Sequence, residues 1–244
     1  RCVLHRQSNE RAAAGSPFSL RGALSLGEDI TMNELDFGMA DDAVPLAERL
    51  RPQRLADVVG QEGLIGPEGR LRRMLDAGNL SSIILWGPPG TGKTTIARLL
   101  AAEAKMTFEP VSAVFDGVAD LRKVFSRAED RLRSGQRTLL FVDEVHRFSK
   151  AQQDGLLPRV EDGTVTLIGA TTENPSFALN GALLSRAQVL VLERLGTQAL
   201  KALLMRVEAD LGSALPLDKG ARTALITMAD GDGRCLLTMA SLLT

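Results

Sequence analysis

The chain has 244 residues, 44% of them apolar and 24% charged, which is typical of a globular protein with one large domain or one domain and a small satellite. A formal net charge of −1 excludes a globally basic nucleic-acid binder, although it leaves room for a local basic patch. No apolar run approaches the roughly 18 residues of a membrane span, so we expect no membrane association. Cys2 and Cys235 show neither metal-site nor disulfide spacing, which favours a reduced intracellular setting.

The first 44 residues lack the periodicity of a folded segment, and we expect them to be disordered. Their arginines, Arg1, Arg6, Arg11 and Arg21, stand among Ala, Ser and Gly and weakly resemble an organelle transit peptide. The alternative, which we favour, is translated sequence upstream of a true start at Met32. Because the chain does not begin with Met, we expect it to be a fragment or to carry upstream residues.

A folded domain is predicted from Pro45 onward. Arg51-Pro52 should end any helix there, because proline disfavours helical geometry in the residue before it. An amphipathic helix is predicted over residues 69–75, with Gly78-Asn79 as its breaker. The apolar run at residues 83–86 then predicts a buried strand.

Residues 87–94, Gly-Pro-Pro-Gly-Thr-Gly-Lys-Thr, fit the phosphate-loop pattern, and a helical run at residues 95–102 follows. Gly90 and Gly92 lack side chains, so backbone N–H groups can close around a phosphate at the positive end of the helix. Lys93 is predicted to reach the β- and γ-phosphates, and the Thr94 hydroxyl to ligate Mg²⁺. The predicted nucleotide-binding residues of this stretch are Gly87, Pro88, Pro89, Gly90, Thr91, Gly92, Lys93, Thr94 and Thr95.

Strands and helices alternate in the middle of the chain. Strands are predicted at residues 107–111, 138–142, 164–169 and 189–192, and helices at 118–133, 150–158 and 182–186. Pro158 is expected to end the helix that begins at Lys150. This alternation predicts a parallel sheet with helices on both faces and a ligand at the carboxyl ends of the strands.

The pattern beyond Thr197 is purely helical. Helices are predicted at residues 197–211, 217–229 and 233–243. We therefore expect a nucleotide-binding α/β domain over residues 45–195 and a small all-helical lid over residues 196–244.

A second polar cluster follows the strand at residues 138–142. The apolar run leads into Asp143-Glu144, the Walker B arrangement. Asp143 is predicted to hold Mg²⁺, directly or through water, and Glu144 to polarise the attacking water as general base. Alone the pair is equally well explained as solvated carboxylates, but an intact phosphate loop upstream favours the catalytic interpretation. His146 is predicted to be a local hydrogen-bond partner rather than a catalyst.

The phosphate loop, Asp143-Glu144 and the strand end Thr171-Thr172 together resemble an AAA+ ATPase. More specific stretches resemble the replication-associated recombination protein A family, relatives of the Werner-helicase-interacting ATPase; they are residues 45–52, 59–61, 141–148, 150–154, 169–177 and 183–188. This resemblance implies a P-loop NTPase fold with ATP and Mg²⁺ as cofactors. The sequence departs from the family after Arg234, which weakens the prediction of the third lid helix, and the family's oligomerisation region is expected to lie outside this chain.

By position, the resemblance assigns further roles at the site. Thr172 matches the sensor-1 polar residue, with Thr171 and Asn174 as close competitors. Arg186 matches the arginine finger that a subunit presents to its neighbour's ATP, where a cation stabilises developing phosphoryl charge. The remaining matches are Arg234 as the sensor-2 arginine and Val58, Val59 and Gly60 as the lining of the adenine pocket.

The resemblance also implies ATP hydrolysis coupled to DNA at stalled replication forks or in recombination and repair. The implied partners are single-stranded or forked DNA, replication proteins such as single-strand-binding protein, and further copies of the full-length protein. Two alternatives stay open: a nucleotide-gated assembly module for a clamp, single-strand-binding protein or helicase, and a Holliday-junction branch-migration motor. The expected location is the cytoplasm beside the nucleoid in a bacterium, and the nucleus or an organelle in a eukaryote.

Candidate DNA-facing cations are Arg122, Lys123, Arg127, Arg147 and Lys150, although a solvated helix face is the simpler explanation for any single one of them.

Overall fold

The computed structural model describes residues 44–243, and the prediction for the N-terminal segment before them lies outside the described residues. A five-stranded sheet has the order β2-β3-β4-β1-β5, and its neighbouring strands all pair in parallel. The strands are β1 (Ile83–Trp86), β2 (Thr107–Ser112), β3 (Thr138–Asp143), β4 (Val165–Thr171) and β5 (Gln188–Val191).

Helices cover both faces of this sheet, as predicted for an α/β protein. They are α1 (Leu46–Arg49), α2 (Glu62–Ile65), α3 (Arg70–Asp76), α4 (Lys93–Glu103), α5 (Val118–Arg133), α6 (Lys150–Glu161), α7 (Pro175–Ala178), α8 (Gly181–Leu184), α9 (Thr197–Leu211), α10 (Lys219–Ala229) and α11 (Gly233–Ser241). Ile96 of α4 packs on one face of the sheet, and Val124 of α5 and Leu156 of α6 pack on the other. The predicted fold class is therefore confirmed.

The central strands are apolar throughout because both of their faces are covered. Residues 139–142 of β3 are all buried, and so is every residue of β4. This explains why continuous apolar runs, rather than alternating ones, predicted these strands correctly.

Helix α6 contradicts one prediction, because it continues past Pro158 to Glu161. A proline in a helix removes one backbone donor. Here the next turn still closes, since the Asp162 N–H donates to the Pro158 carbonyl at 3.0 Å. Leu156 is completely buried against the sheet, and this burial keeps the end of the helix in place.

The C-terminal helices share a separate apolar core. Leu204 of α9, Ile226 of α10 and Leu236 of α11 are all buried in it. The predicted third lid helix is confirmed as α11. Helix α1 belongs to the same core through Leu46. Its four residues are too few to show a helical period, and the sequence did not predict it.

None of the helices within residues 44–243 is both long enough and apolar enough to span a membrane.

The strand register brings the polar clusters to one edge. Trp86, just before the phosphate loop, pairs with Thr171 at the end of β4. Ser112 at the end of β2 pairs with Asp143 at the end of β3. Because parallel strands share one direction, the segments that follow β1, β2, β3 and β4 all leave the sheet at this edge.

Candidate active site

The phosphate loop connects β1 to α4 in a conformation that needs glycine. Gly92 precedes the first turn of α4 with a φ of 95°, in the left-handed region that residues with a side chain avoid. The Gly87 N–H donates to the Thr171 carbonyl at 3.2 Å, which ties the start of the loop to β4. The first N–H groups of α4 have no acceptor within the helix and are oriented toward an incoming anion.

Lys93 is buried with its amine turned onto this loop. Only 8% of the residue is exposed, and Nζ donates to the carbonyl oxygens of Gly87 at 2.7 Å and Pro88 at 2.8 Å. Burial lowers the pKa of Lys93, whereas the nearby carboxylates of Glu144 and Asp143 act in the opposite direction. An anion bound at the loop would stabilise the charged amine further, as a phosphate would.

A cavity of about 110 Å³ gathers residues that lie far apart in the sequence. Its lining combines the phosphate loop with the ends of β3 and β4 and with the start of α11, and includes Lys93, Thr94, Asp143, Glu144, Thr172 and Arg234. The predicted metal-binding residues Thr94 and Asp143 thus face the same small volume. One hydroxyl and one carboxylate, with phosphate oxygens to complete the shell, suit Mg²⁺, so the residues present fit the ion and its nucleotide.

Glu144 enters the cavity through an unusual backbone turn. Its φ is 52°, in the left-handed region that is uncommon for a non-glycine residue and recurs at functional sites. The Glu144 N–H donates to Asp143 Oδ1 at 3.1 Å, which helps to hold the turn. Asp143 and Glu144, which are adjacent in the chain, both line the cavity.

The three sensor candidates at the end of β4 have different surroundings. Thr172 lines the phosphate cavity. Thr171 is completely buried, and its Oγ1 lies 2.9 Å from His146 Nδ1. Asn174 instead caps α7, accepting a hydrogen bond from the Ser176 N–H at 3.0 Å. Of the three, only Thr172 faces the position predicted for phosphate, and the prediction that His146 makes a local hydrogen bond is confirmed.

A second cavity of about 340 Å³ adjoins the first and could hold a base and sugar. Val58 and Val59 line it, together with Pro45, Thr91, Arg206 and Leu237. Gly60, which was predicted to line the adenine pocket with the two valines, is not part of the lining; its Cα packs against the lid, where an added Cβ would come within 2.7 Å of Leu195 and 3.0 Å of Ala199. Arg234 lines both cavities. The sequence did not predict Arg206 or Leu237 as site residues, because a single helical side chain without a motif carries no signal of its own.

The lid begins directly on the phosphate loop. Asp232 caps α11 by accepting from the Cys235 N–H at 2.9 Å, and the Gly233 N–H donates to the Gly90 carbonyl at 3.2 Å. A Cβ at Gly90 would come within 1.7 Å of Asp232 Oδ1. This contact, which sequence reasoning missed, fixes where α11 starts and therefore where Arg234 enters the site.

Arg186 lies away from both cavities, at the end of α8. Its side chain is 40% exposed, forms an ion pair with Glu161 and donates to the Ala182 carbonyl at 2.9 Å. Arg186 therefore does not join the other predicted site residues that line the two cavities.

Comparisons with known proteins agree with this geometry. Residues 83–195 match the family model of the ATPase family associated with various cellular activities (AAA). Replication-associated recombination protein A of Escherichia coli (strain K12) is 47% identical over 209 residues, which cover 83% of this chain and 47% of that protein. ATPase WRNIP1 of Dictyostelium discoideum is 43% identical over 199 residues, covering 80% of this chain and 23% of that protein.

Among solved structures, the Thermotoga maritima RuvB Holliday junction branch migration motor superimposes with a TM-score of 0.63 at 28% identity, covering 79% of this chain and 64% of that one. The chain spans about half the length of the Escherichia coli relative. It belongs to the AAA family of ATPases and, within that family, resembles the replication-associated recombination protein A and WRNIP1 proteins.

Proposed function

We propose that this chain binds ATP with Mg²⁺ and hydrolyses it, and that the full-length protein couples hydrolysis to work on DNA during replication or recombination. The observation that carries the ATPase proposal is the single cavity shared by Lys93, Thr94, Asp143 and Glu144. No other arrangement of the described residues joins a phosphate loop to a general base.

The proposed chemistry distributes roles among the chain's own residues. Lys93 and the N–H groups of the loop hold the β- and γ-phosphates, while Thr94 and Asp143 hold Mg²⁺, which neutralises phosphate charge when bound. Glu144 accepts the proton of the attacking water. Thr172 and Arg234 contact the phosphates from β4 and from the lid. Arg186 is exposed and lies outside both cavities, and we propose that it acts on the ATP of a neighbouring subunit in a homo-oligomer.

The DNA part of the proposal is supported by the names of the relatives and by a free set of cations. Among the described residues, Arg122, Arg147 and Lys150 are exposed and form no ion pair. In contrast, Lys123 pairs with Asp120 at 3.1 Å, and Arg127 pairs with Glu109 at 2.8 Å. Unpaired cations are available to phosphates, so we narrow the predicted DNA surface to Arg122, Arg147 and Lys150.

An exposed aromatic side chain lies at the same edge of the sheet as Arg147. Phe115 is 87% exposed in the segment that follows β2, which leaves the sheet at the same edge as the segment carrying Arg147. Aromatic side chains next to cations bind unpaired bases by stacking. This pair of features favours single-stranded or forked DNA over a continuous duplex.

The similarity to RuvB favours one alternative, a Holliday-junction branch-migration motor. A nucleotide-gated assembly module for a clamp, single-strand-binding protein or helicase is the other. The three differ in what accelerates ATP hydrolysis: single strands or forks for our proposal, four-way junctions for the motor, and a protein partner for the module. We place the activity in the cytoplasm if the protein is bacterial.

The test measures ATP hydrolysis with and without Mg²⁺, and with single-stranded, duplex, forked and four-way-junction DNA. We expect Mg²⁺ to be required and forked or single-stranded DNA to give the highest rate. Arg122→Ala should weaken single-strand binding and reduce the magnitude of the negative slope of log K against log salt by about 0.7. Arg133→Ala is the matched control on the same helix, because Arg133 already pairs with Asp130 at 2.9 Å. The DNA proposal would be refuted if none of these DNAs changed the rate of ATP hydrolysis, or if Arg122→Ala and Arg133→Ala lost the same affinity for single-stranded DNA.

A further inference from the structure

His146 is a buried titratable side chain for which the proposed chemistry has no role. Only 4% of its side chain is exposed, although it stands three positions after the metal-site carboxylate Asp143. Its two ring nitrogens face different groups. Nδ1 lies 2.9 Å from Thr171 Oγ1, and Nε2 lies 3.3 Å from Glu144 Oε2 and 3.4 Å from Glu173 Oε1.

These neighbours determine which nitrogen of a neutral ring carries the hydrogen. A lone pair on Nε2 would face two carboxylates and be repelled by both, so the hydrogen belongs on Nε2. Nδ1 is then an acceptor, and the Thr171 hydroxyl donates to it at 2.9 Å rather than to its other acceptor, the Glu173 carbonyl oxygen at 3.3 Å. Thr171 Oγ1 also accepts from the Glu173 N–H at 3.0 Å, so the hydroxyl is held from both sides.

We propose that His146 is a positioning residue for the general base: Thr171 orients the imidazole, and the Nε2–H aims the Glu144 carboxylate into the phosphate cavity. The inference rests on the proposed ATPase function. Glu173 is the alternative acceptor for the same N–H, at nearly the same distance as Glu144. A small rotation of the Glu144 side chain therefore releases it to the attacking water while His146 keeps a carboxylate partner.

This arrangement also explains why Thr171 and Thr172 differ. Thr171 is the last residue of β4 and is completely buried, whereas Thr172 is the first residue beyond the strand and lines the phosphate cavity. Thr172 therefore faces the phosphates, and Thr171 acts on the base through His146. Both threonines then serve the same reaction, one by direct contact and the other by orienting a ring.

The first test compares two amide substitutions with different reach. Glutamine in His146→Gln extends a donor N–H to about the depth of Nε2, whereas asparagine in His146→Asn reaches only about as far as Nδ1. We expect His146→Asn to lower kcat on the order of 10- to 100-fold with the Kd for ATP unchanged, and His146→Gln to recover part of that loss. Equal kcat in His146→Asn and wild type, or a change confined to ATP affinity, would overturn the inference.

A double-mutant cycle tests whether Thr171 acts through the ring. Thr171→Val keeps the shape of the side chain without its hydroxyl, and Thr171→Ser restores the hydroxyl. We expect Thr171→Val to lower kcat, Thr171→Ser to recover it, and the loss in Thr171→Val not to add to that of His146→Asn. Additive losses in kcat would show that Thr171 and His146 act independently, and would contradict the proposal that Thr171 acts through the imidazole.

Nitrogen NMR of the imidazole ring shows which nitrogen of His146 carries the hydrogen, and this measurement does not depend on ATP hydrolysis. The chain has only two histidines, His5 and His146, so His146→Asn assigns the signals. At about pH 8.5, where an ordinary imidazole is neutral, we expect the Nε2–H tautomer in the wild type and loss of that preference in Thr171→Val. An Nδ1–H tautomer in the wild type would exclude the proposal. Normal hydrolysis by Glu144→Gln would instead refute the proposed general base, so the two failures are distinguishable.

Discussion

The phosphate-loop edge of the sheet and the Arg186 segment differ in what surrounds their charged side chains. At the edge, Lys93, Asp143 and Glu144 converge on one cavity, and the lid brings Arg234 to it. Arg186 instead projects from α8 and is paired with Glu161 of α6. One region gathers its charged groups around a ligand site, whereas the other displays a single cation at the surface.

This difference separates what one chain can do alone from what it cannot. Nucleotide binding needs only groups that converge within the chain, and these are present together. A cation held by a surface carboxylate can change partner at little cost, because exposed ion pairs contribute only about 0–1 kcal/mol. The comparison therefore predicts that a single chain can bind ATP, whereas fast hydrolysis of ATP requires an assembly of subunits.

The largest effect is expected from Lys93→Ala. Lys93 is the one cation among loop residues 87–94, and in our proposal it contacts the β- and γ-phosphates, so the substitution removes that contact. ATP binding, measured by calorimetry, should fall below detection while the melting temperature changes little. Tight ATP binding by the variant would show that Lys93 does not hold the phosphates, and the phosphate-loop edge could then no longer be contrasted with Arg186 as the nucleotide site.

Arg186→Ala should leave ATP affinity unchanged and lower hydrolysis by about 10³-fold or more in an assembling full-length protein. Mixing it with Lys93→Ala subunits should restore part of the rate, because each variant supplies what the other lacks. Glu161→Gln is the matched control, since it removes the surface partner but keeps the arginine. A mixture no more active than its components would make Arg186 a structural residue.

A smaller effect is expected where the lid meets the loop. Gly90→Ala places a Cβ within 1.7 Å of Asp232 Oδ1 at a residue whose φ is 67°. The left-handed backbone alone should lower the free energy of unfolding by about 1–2 kcal/mol. The clash should also push Asp232 and the start of α11 away from the loop, and this displacement should weaken nucleotide binding. Gly155→Ala in α6 is the control, because nothing lies within 4 Å of a Cβ there. Equal affinities in the two variants would show that lid docking does not support the site.

The smallest effect on nucleotide binding is expected at a contact remote from both regions. Glu109 of β2 is 12% exposed and pairs with Arg127 and Arg131, hydrogen bonds that lower the pKa of Glu109. Glu109→Gln should reduce the free energy of unfolding by about 1–3 kcal/mol at pH 7 and leave ATP affinity unchanged.

The pH dependence of that loss follows from the direction of the shift. A carboxyl whose pKa is depressed in the folded state contributes fully above its unfolded pKa of about 4.3. The contribution disappears as pH falls through the folded pKa. Denaturant unfolding should therefore give a constant difference between wild type and Glu109→Gln from about pH 7 to pH 5.5, narrowing in more acidic buffer. A difference that grows with acid would contradict the pairing.

Local patterns predicted much of this molecule, because its central strands and phosphate loop depend on residues adjacent in the chain. The apolar runs at β3 and β4 are unambiguous, since both faces of those strands are buried. Pro158 misled the prediction for α6, because burial of Leu156 outweighs one lost backbone donor. Short helices such as α7 have too few residues to show a period.

Contacts between distant segments carried no such signal. Nothing in the residues around Gly90 indicates that Asp232 lies against it, and the pairing of His146 with Thr171 depends on the register of β3 with β4. Of the two adjacent threonines, the sequence favoured Thr172 as the sensor only through resemblance. The strand end supplies the physical reason, because Thr171 points into the buried side.

ATP binding and ATP turnover measured side by side on the wild-type chain and on Glu144→Gln test the central claim most directly. We expect the two proteins to bind ATP in the presence of Mg²⁺ with the same affinity, and only the wild type to hydrolyse it, at the slow rate expected of a chain outside an assembly. A Glu144→Gln chain that turns ATP over at the wild-type rate would contradict the assignment of the cavity as the site of hydrolysis.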